Sequence, residues 1–387
     1  MILYLLWLSQ IKGIGPATVK KLLEYFPDPE QIYNASREEL MAVEGIGAST
    51  ASLITKSPSL DNAKKILELV HKNNMKILTC LDPLYPAPLR KIPEMPPLLF
   101  YYGKISPSRA GVCIIGARKC TSYGKEVTRE AAEFLAKNQV PVISGMAAGI
   151  DSYAHTACIN AGGYTLAFLG CGVDLCFPKE HLELKEAIME KGAVISPYIP
   201  GTPPYPSNFP KRNYLMAAWC HKLLVVEAGR KSGSLLTASY AMKKKRQVLA
   251  VPGSIYSKES QGTNALLANG AEIYLNSGQL LPGPVLTSSK HKNTKVSFTT
   301  PLKKETRPKS KRDPFFMPSL SFTRTGSSKL NPTQERIWEL LKNTPLTMEQ
   351  LAVHFSENLP GFFESLSLME LEGILERMPG GKFRLVP

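Results

Sequence analysis

Short apolar runs that end at glycine or serine alternate with helical patterns between Gly111 and Ala271. The clearest three lie in Val112–Arg118, Pro141–Asp151 and Leu223–Ala238. In each segment an apolar stretch of strand length breaks at Gly or Ser, and a helix-like pattern follows. Strands of this kind are typical of a parallel sheet that is covered by helices. The stretch therefore predicts that the chain is organised around an α/β domain.

Six strands and five helices are predicted within this domain. The apolar runs place the strands at residues 112–115, 140–144, 164–169, 193–196, 223–227 and 247–251. The helices are predicted over Glu126–Asn138, Ser152–Ala161, Glu180–Glu190, Tyr214–Trp219 and Leu235–Lys244. An alternation of this length predicts a doubly wound, Rossmann-like α/β sheet, which we place within residues 71–286. A further strand, Leu98–Gly103, is predicted to lead into it.

Polar and basic residues follow three of these strands or the loops beyond them. They are Arg118, the trio Lys211, Arg212 and Asn213, and the trio Ser232, Gly233 and Ser234. Ligands of doubly wound folds bind at the carboxyl ends of the strands, and N–H groups at helix starts there favour anions. Ser232 is suited to cap its helix, and Gly233 permits close approach of the backbone. These features predict a shared anion site.

Two Gly-x-Gly turns near the amino terminus form an internal repeat. The segments Ile11–Thr18 and Val43–Thr50 lie 32 residues apart. They resemble the SAM-like helix-hairpin-helix module, whose turn presents N–H groups to a DNA phosphate, so residues 1–70 are predicted to form a helical domain. Packing between helices would use the same glycines, and both roles remain open. Residues 57–110 are interpreted as a connection because Leu81–Pro97 is rich in proline.

The chain of 387 residues has a formal net charge of +15, and a protein this basic commonly meets nucleic acid or an anionic membrane surface. Residues 287–330 hold eleven Lys and Arg against Glu305 and Asp313, so nine of the fifteen net charges fall in this segment. Lys, Ser, Thr and Pro dominate it, which predicts a basic disordered linker. The folded parts of the chain are therefore only mildly basic.

Cysteine usage and the amino terminus indicate a cytoplasmic protein. Seven cysteines without a C-x-x-C pair are typical of reduced thiols in a reducing compartment. The apolar start, Met1–Leu8, lacks a basic region, so we expect no signal peptide. No apolar run approaches the ~18–20 residues that a membrane span requires, and we expect no membrane partner.

Residues 331–387 predict a winged helix. The pattern comprises an amphipathic helix at Glu335–Leu341, a capping box of Thr347 and Gln350, a third helix at Phe362–Glu372, and two strands around a Pro-Gly-Gly turn in Gly373–Leu385. The third helix carries Glu364, Glu370 and Glu372 and no Lys or Arg, which is unfavourable for a helix that reads duplex DNA. We therefore favour a protein-contact or vestigial role over DNA binding.

Several enzyme motifs are excluded because the residues of this chain do not have the spacing that the motifs require. A P-loop would need its glycines five residues apart, whereas Gly116 and Gly124 are eight apart and Glu126 replaces the magnesium-binding Ser or Thr. Leu175 stands where a dinucleotide fingerprint needs its third glycine, and no Gly-x-Ser-x-Gly motif is present. We predict that the chain is not an enzyme.

Asp151, His155 and Cys158 fall on one face of a predicted helix, at a spacing that three metal ligands could use. A structural role is the stronger interpretation. Asp151 would cap the helix after Gly149, and His155 would make an internal hydrogen bond. We expect neither a metal nor a cofactor.

Residues 81–274 resemble the DNA-processing protein A family (DprA, also called Smf). The residues that carry the resemblance are Gly116-x-Arg118, Ser122-x-Gly124, Ser144-Gly-x-Ala-x-Gly-Ile-Asp151 with Ala154-His155, Gly172-x-Asp174, Phe177-Pro178, Phe209-Pro-x-Arg-Asn213, Ser232-Gly-Ser-Leu-x-Thr-Ala238, Val251-Pro-Gly253 and Gly262-x-Asn264. The resemblance implies an extended Rossmann-like domain that binds and protects single-stranded DNA and forms a homodimer. It also implies delivery of the DNA to a RecA-type recombinase during natural transformation, without a catalytic step.

Carried over position by position, the resemblance implies a DNA pocket lined by Arg118, Ser144, Gly145, Arg212, Asn213, Ser232, Gly233 and Ser234. Ala148 and Tyr214 stand where basic residues are common in the family, and Lys119 or Lys211 are the candidates to replace them.

Charge neutralisation and base stacking then predict how the single-stranded DNA is bound. We expect Arg118 and Arg212 each to neutralise a phosphate, so that each alanine variant flattens the slope of log affinity against log salt by roughly 0.7. Bases would face outward or stack on Tyr205 or Phe209.

Two other functional classes are alternatives. Nucleotide-processing Rossmann-like hydrolases carry Pro-Gly-Gly-x-Gly-Thr and a downstream catalytic Glu, whereas Gly229–Ser234 stands here and no Glu follows within ten residues. Release of free base from nucleoside monophosphates would favour that class. A transcription factor built on the winged helix would instead prefer duplex DNA.

Overall fold

The computed structural model describes residues 1–90, 92–106, 111–281, 330–342, 344–371, 374–378 and 381–386. Backbone contacts group Met1–Leu281 with Pro332–Pro387 in one compact unit. The basic linker predicted over residues 287–330 lies outside the described residues apart from Leu330.

A nine-stranded sheet forms the centre of the molecule. Its strands are β1 Lys76–Thr79, β2 Leu98–Gly103, β3 Val112–Ile115, β4 Val142–Ser144, β5 Thr165–Phe168, β6 Ala193–Ser196, β7 Lys222–Val225, β8 Gln247–Ala250 and β9 Glu272–Ile273. Their order across the sheet is β1-β2-β6-β5-β4-β3-β7-β8-β9. The chain moves outward from β3 in one direction through β4 to β6, and then in the other through β7 to β9. The switch point of the doubly wound sheet therefore lies between β3 and β7, where a ligand crevice is expected.

The sheet is mixed, and the strands predicted between Gly111 and Ala271 form its parallel part, as expected. Strands β3 to β9 pair in parallel, with Val112 opposite both Val142 and Lys222. Strand β2 pairs antiparallel with β6, and β1 pairs antiparallel with β2. The six predicted strands of the central domain are confirmed to within a few residues at each end, because their apolar runs are buried on both faces.

Helices surround the sheet and form the amino-terminal part of the chain. Those before residue 282 are α1 Ile2–Gln10, α2 Pro16–Tyr25, α3 Pro29–Asn34, α4 Arg37–Met41, α5 Ala48–Thr55, α6 Asp61–Lys72, α7 Ala87–Arg90, α8 Ser122–Lys137, α9 Ile150–Asn160, α10 Leu182–Lys191, α11 Asn208–Trp219, α12 Gly233–Lys243 and α13 Gln261–Ala268. Short 3₁₀ turns occupy Lys179–His181, Lys258–Ser260 and Ser277–Leu280. No helix within the described ranges is both long enough and apolar enough to cross a bilayer.

Helices cover both faces of the sheet. On one face Cys113 and Ile115 of β3 join α11 and α12 in a single hydrophobic cluster. On the other face Val112 and Ile114 join α8 and α9. Alternate residues of one buried strand thus pack into two different cores, because successive side chains of a strand point to opposite faces of the sheet. The doubly wound arrangement predicted from the sequence is confirmed.

Two elements differ from the predictions. The predicted connection over residues 57–110 contains α6, with Ala63 and Val70 buried on one face, and β1. The proline-rich second half of this stretch holds the four-residue helix α7 and strand β2. Helix α11 begins at Asn208, well before the predicted Tyr214, because Pro210 lies in the first turn, where a missing N–H costs no helical bond.

The amino-terminal repeat forms two helical turns of the same shape. The first glycine of each Gly-x-Gly, Gly13 and Gly45, has a φ of +95° and +77°, a region that other residues rarely adopt. The second glycine, Gly15 or Gly47, precedes the first residue of α2 or α5. The two turns connect helices whose apolar residues form one buried cluster.

The carboxyl-terminal residues form three helices and a small antiparallel sheet. The elements are α14 Pro332–Leu341, β10 Leu346–Thr347, α15 Met348–Ala352, a 3₁₀ turn at Val353–Asn358, α16 Leu359–Leu371, β11 Leu375–Arg377 and β12 Lys382–Leu385. The predicted capping box is confirmed: Gln350 N–H donates to Thr347 Oγ1 at 3.3 Å and Thr347 N–H donates to Gln350 Oε1 at 2.9 Å. The predicted strand pair is also found, and β10 adds a third strand to it.

Candidate nucleic-acid interface

A pocket of about 550 Å³ opens at the carboxyl ends of β3, β4 and β7, beside the switch point. We call it the central pocket. It is lined by Ile115, Gly116, Arg118, Ala147, Asp151, Phe177, Pro204, Pro206, Phe209, Pro210, Arg212, Asn213, Met216, Ser232, Gly233, Ser234, Leu236, Thr237, Pro360 and Glu364. Six of the residues predicted for the anion site therefore lie together: Arg118, Arg212, Asn213, Ser232, Gly233 and Ser234.

The start of α12 presents polar groups to this pocket. Ser232 is the N-cap, as predicted, and its Oγ accepts from Ser234 N–H at 3.4 Å. The hydroxyls of the two serines are 2.7 Å apart. Gly233 is exposed, and nothing lies within 4 Å of the position that a Cβ would occupy there. An anion can therefore approach the backbone N–H groups at the positive end of this helix.

A buried carboxylate holds the loop that carries Arg118 and Lys119, both of which are exposed. Glu227, only 2% exposed, accepts from Thr121 N–H at 2.9 Å and from Thr121 Oγ1–H at 2.5 Å. A Cβ at Gly124 would lie 2.5 Å from this carboxylate, so the close packing needs glycine. The exposed cations thus stand on a fixed turn at the end of β3.

Arg212 makes structural hydrogen bonds in the interior of the protein, and a direct contact of its guanidinium with phosphate stays a prediction. The side chain is 5% exposed and forms part of the pocket floor. Its Nη1 donates to the carbonyl oxygens of Gly145 and Phe168, at 2.5 and 2.6 Å, and its Nε donates to Asn213 Oδ1 at 3.0 Å. A Cβ at Gly145 would lie 2.4 Å from Nη1. The guanidinium therefore ties the ends of β4 and β5 to α11.

Asp151 stabilises the loop between β4 and α9. Its carboxylate accepts from Gly145 N–H at 3.2 Å and from Ala147 N–H at 3.4 Å. The prediction that it caps its own helix was wrong, since Gly149 is the N-cap and Asp151 lies inside the first turn. Burial raises the pKa of the carboxyl, and the charge of Arg212 is the largest of the effects that oppose this. Burial lowers the pKa of Arg212, and Asp151 opposes that shift in turn.

The remaining predicted ligands do not line the central pocket. Ser144 is fully buried and donates to the carbonyl of Ile114 at 2.7 Å, a position that does not support its predicted role as a DNA ligand. Gly145 lines a smaller adjoining pocket of about 120 Å³. Lys119 and Lys211 are exposed outside both pockets. Lys211 and Arg212 point in different directions because neighbours on a helix are about 100° apart.

Phe177 is a pocket residue that the sequence analysis did not select for stacking. Its side chain is 43% exposed, and its ring centroid lies 5.6 Å from that of Phe209. Phe209 in turn packs against the Arg212 guanidinium at 5.7 Å. Tyr205, predicted to stack, is 55% exposed between two prolines of the lining. The sequence signal for Phe177 was its Phe-Pro step, which had been used only as a family motif.

His155 makes the internal hydrogen bond that was predicted. It is fully buried, and its Nδ1 lies 2.7 Å from Thr165 Oγ1. The threonine hydroxyl donates to the carbonyl of Val142, so it accepts from the histidine and fixes the neutral Nδ1–H tautomer. Nε2 has no hydrogen-bond partner. Burial, with smaller effects from Arg212 and His181, lowers the pKa of His155 from 6.5 to about 3.

This buried histidine predicts a stability that depends on pH. Below pH 6.5 the unfolded chain takes up a proton at this position and the folded protein does not. The contribution of His155 to the free energy of unfolding is therefore fully present above pH 6.5. It falls by about 1.4 kcal/mol for each pH unit between pH 6.5 and pH 3. Urea unfolding at several pH values measures the slope. His155→Gln should flatten it and His71→Gln, at an exposed site on α6, should not; equal slopes in the two variants would contradict the assignment.

Comparison with known proteins identifies the family. Residues 76–282 match the family described as DNA recombination-mediator protein A, and residues 6–57 match the SAM-like helix-hairpin-helix tandem. Protein Smf of Synechocystis is 32% identical over 98% of each chain. DNA processing protein DprA of Streptococcus pneumoniae is 38% identical over 51% of this chain and 70% of its own.

A solved structure shows the same fold. The X-ray structure of DNA processing protein A from Streptococcus pneumoniae aligns with a TM-score of 0.64 and 29% identity, over 72% of this chain and 96% of that one. The matched family region contains the whole sheet and the residues that line the central pocket, apart from Pro360 and Glu364. The chain therefore belongs to the DNA recombination-mediator protein A family, also called DprA or Smf.

Proposed function

We propose that this chain binds and protects single-stranded DNA, without sequence preference, at the central pocket. The observation that carries the proposal is the convergence there of a cation, Arg118, with the start of α12 at Ser232–Ser234. Fixed N–H groups and an exposed guanidinium suit the phosphates of a nucleic-acid backbone. Arg212 contributes positive charge from the pocket floor.

The aromatic residues of the pocket lining favour an unpaired strand. Phe177 and Phe209 stand there beside Pro204 and Pro206, and Phe177 leaves part of its ring exposed. Bases of a single strand offer their faces to such rings, and each stacked base is worth about 1–3 kcal/mol. In a duplex the faces of the bases are covered by the neighbouring base pairs. Groups that suit phosphates and rings that suit base faces line the same pocket, and this combination fits single-stranded DNA.

The proposal extends to the recombination partner of the protein, its location in the cell and its oligomeric state. We propose that the bound strand passes to a RecA-type recombinase during natural transformation, that the protein acts in the cytoplasm, and that neither a cofactor nor a catalytic step is needed. We also propose a homodimer. Large apolar side chains in and just after β9 are exposed, Ile273 by 45% and Leu275 by 69%, and would suit a subunit contact.

We propose a four-part organisation: a helix-hairpin-helix domain at 1–70, the extended Rossmann-like domain at 71–286, a basic linker at 287–330 and a winged helix at 331–387. Three helices with a three-stranded antiparallel sheet support the last assignment. Glu364 and Glu370 on α16 favour a protein contact for this domain over duplex binding. Phosphate binding by the amino-terminal turns stays a prediction.

Titration of the full-length protein with labelled oligothymidylate, a mixed-sequence single strand and a hairpin duplex tests the proposal. We expect tight, similar binding of both single strands, weaker binding of the duplex, and a salt slope of about −0.7 for each phosphate that is neutralised. Preference for the duplex would support a transcription factor instead. Release of free base from nucleoside monophosphates would support the hydrolase alternative.

A further inference from the structure

Helix α16 of the carboxyl-terminal domain contributes to the central pocket. Pro360 and Glu364 line the pocket together with Arg118 and Ser232–Ser234. One turn further along, Leu368 packs against the hydrophobic cluster that α11 and α12 form on the same face of the sheet. The domain at the end of the chain thus lies against the surface where we propose that DNA binds.

Two opposite faces of α16 make contacts, although Pro360 on the second face is exposed and Glu364 and Leu368 are half-buried. Phe362, Leu366 and Met369 form part of the core of the carboxyl-terminal domain. Pro360, Glu364 and Leu368 recur every four residues and lie about 170° away from that face, because each residue advances about 100°. A helix at the surface of a small domain ordinarily buries one stripe. The second face, on which Leu368 packs against the α/β domain, is therefore a contact surface with that domain.

A second contact lies at the amino-terminal repeat. A Cβ added at Gly381, beside β12, would lie 3.6 Å from Lys12 Cε and 3.7 Å from Lys12 Nζ. Lys12 belongs to the first Gly-x-Gly turn, and its charge also acts on the carboxylate of Glu349 on α15. The carboxyl-terminal domain consequently touches both parts of the chain that have been considered for DNA binding.

The chemistry of the pocket makes α16 a competitor of an anionic ligand. Glu364 brings a second carboxylate, besides that of the buried Asp151, into a pocket whose cations, Arg118 and Arg212, suit phosphate. Its burial raises the pKa of the carboxyl, because water is removed from the charged form. A strand that entered along the start of α12 would meet both the bulk of this helix and its negative charge.

We propose that α16 is an autoinhibitory element that occupies the DNA path in the free protein and leaves when single-stranded DNA binds. The inference rests on the proposed function of the central pocket. Fifty residues, Pro282–Asn331, separate the two parts of the chain in sequence, so no short covalent connection ties the domain to the pocket. Binding of DNA then includes the cost of displacing α16, and removal of that cost raises the apparent affinity.

Two substitutions in the full-length protein test the inference. Leu368→Gln weakens the apolar contact with the α/β domain, and Glu364→Gln removes the charge from the pocket. We expect each to raise the affinity for oligothymidylate by about threefold to tenfold. The gain from Glu364→Gln should shrink at high salt, which screens charge repulsion, whereas the gain from Leu368→Gln should persist. Val353→Gln, at a side chain 74% exposed away from this pocket, should bind like the parent.

Hydrogen exchange of peptides that span Leu359–Leu371 gives an independent readout. We expect faster exchange when oligothymidylate is bound, and slower exchange would overturn the inference by making α16 part of the bound site. Equal affinity of the parent and all three variants would overturn the autoinhibitory contact and leave the proposed function standing. Failure of every form to bind single-stranded DNA would remove both.

Discussion

Replacement of Arg212 by alanine should lower the free energy of unfolding by about 3–5 kcal/mol, the usual cost of removing one partner of a buried charge network. The variant leaves the carbonyl oxygens of Gly145 and Phe168 without their donor. It also leaves the carboxylate of Asp151 buried without the charge that opposes its protonation. Each unpaired buried group costs about 1–3 kcal/mol.

Urea denaturation at neutral pH measures this effect. The matched control is Arg118→Ala, which removes an exposed arginine of the same pocket and should change stability by less than about 0.5 kcal/mol. Arg212→Lys keeps the charge but lacks the planar fork that reaches two carbonyls, so it should restore only part of the loss. Equal stability of Arg212→Ala and Arg118→Ala would contradict the structural role.

A double-mutant cycle separates the charge contribution from the hydrogen bonds. If Arg212 acts on Asp151, Asp151→Asn should cost less in the Arg212→Ala background than in the parent, by about 0.5–3 kcal/mol. Additive costs would show that the two side chains act independently. In that case the carbonyl contacts alone would account for the loss in Arg212→Ala.

The sequence predicted the central strands well because their signal is local. Each of the parallel strands is a short apolar run that a turn residue ends, and burial on both faces requires such a run. The pairing of β2 with β6 was not predictable in the same way. Phe100 and Ser196 lie opposite each other across almost a hundred residues of chain, and nothing in either segment specifies direction.

Within the site, the sequence predicted which segments meet but not which side chains reach the pocket. Strand ends of a parallel sheet share one edge, so Arg118 and Ser232 were correctly brought together. The sequence pattern predicts a helix only from Tyr214, which leaves Lys211–Asn213 in the preceding loop. Because α11 begins at Asn208, the three residues lie on a helix, and Arg212 points into the protein while Lys211 points outward.

The contribution of the carboxyl-terminal domain could not be inferred from local pattern at all. Glu364 was noted only as an acidic residue that makes α16 unfavourable for duplex recognition. Its position in a pocket built by residues more than a hundred positions earlier depends on packing between domains. Glu364 argues against DNA recognition by α16, and the same residue supports the proposal that α16 competes with DNA for the central pocket.

Replacement of Arg118 by alanine should weaken binding of oligothymidylate about tenfold or more, because a hydrogen bond between charged groups contributes about 1.5–3 kcal/mol. Loss of one neutralised phosphate should also flatten the slope of log affinity against log salt by roughly 0.7. Arg118 carries this effect because it is exposed and lines the central pocket, on a turn that Glu227 holds in place.

Fluorescence titrations at several salt concentrations measure affinity and slope together. Lys119→Ala removes an exposed cation beside the pocket but outside its lining, so its effect should be smaller than that of Arg118→Ala. Lys137→Ala, at an exposed position in the last turn of α8, is the matched control and should alter neither quantity.

The comparison with Arg212→Ala distinguishes a residue that contacts the DNA directly from one that supports the structure of the pocket. A direct ligand changes the salt slope and leaves stability intact, whereas a supporting residue lowers stability and changes affinity through the shape of the pocket. Arg118→Ala should follow the first pattern and Arg212→Ala the second. If Arg118→Ala binds with the parent's affinity and slope, the phosphates do not meet this edge of the sheet, and the central pocket is not where the strand is held.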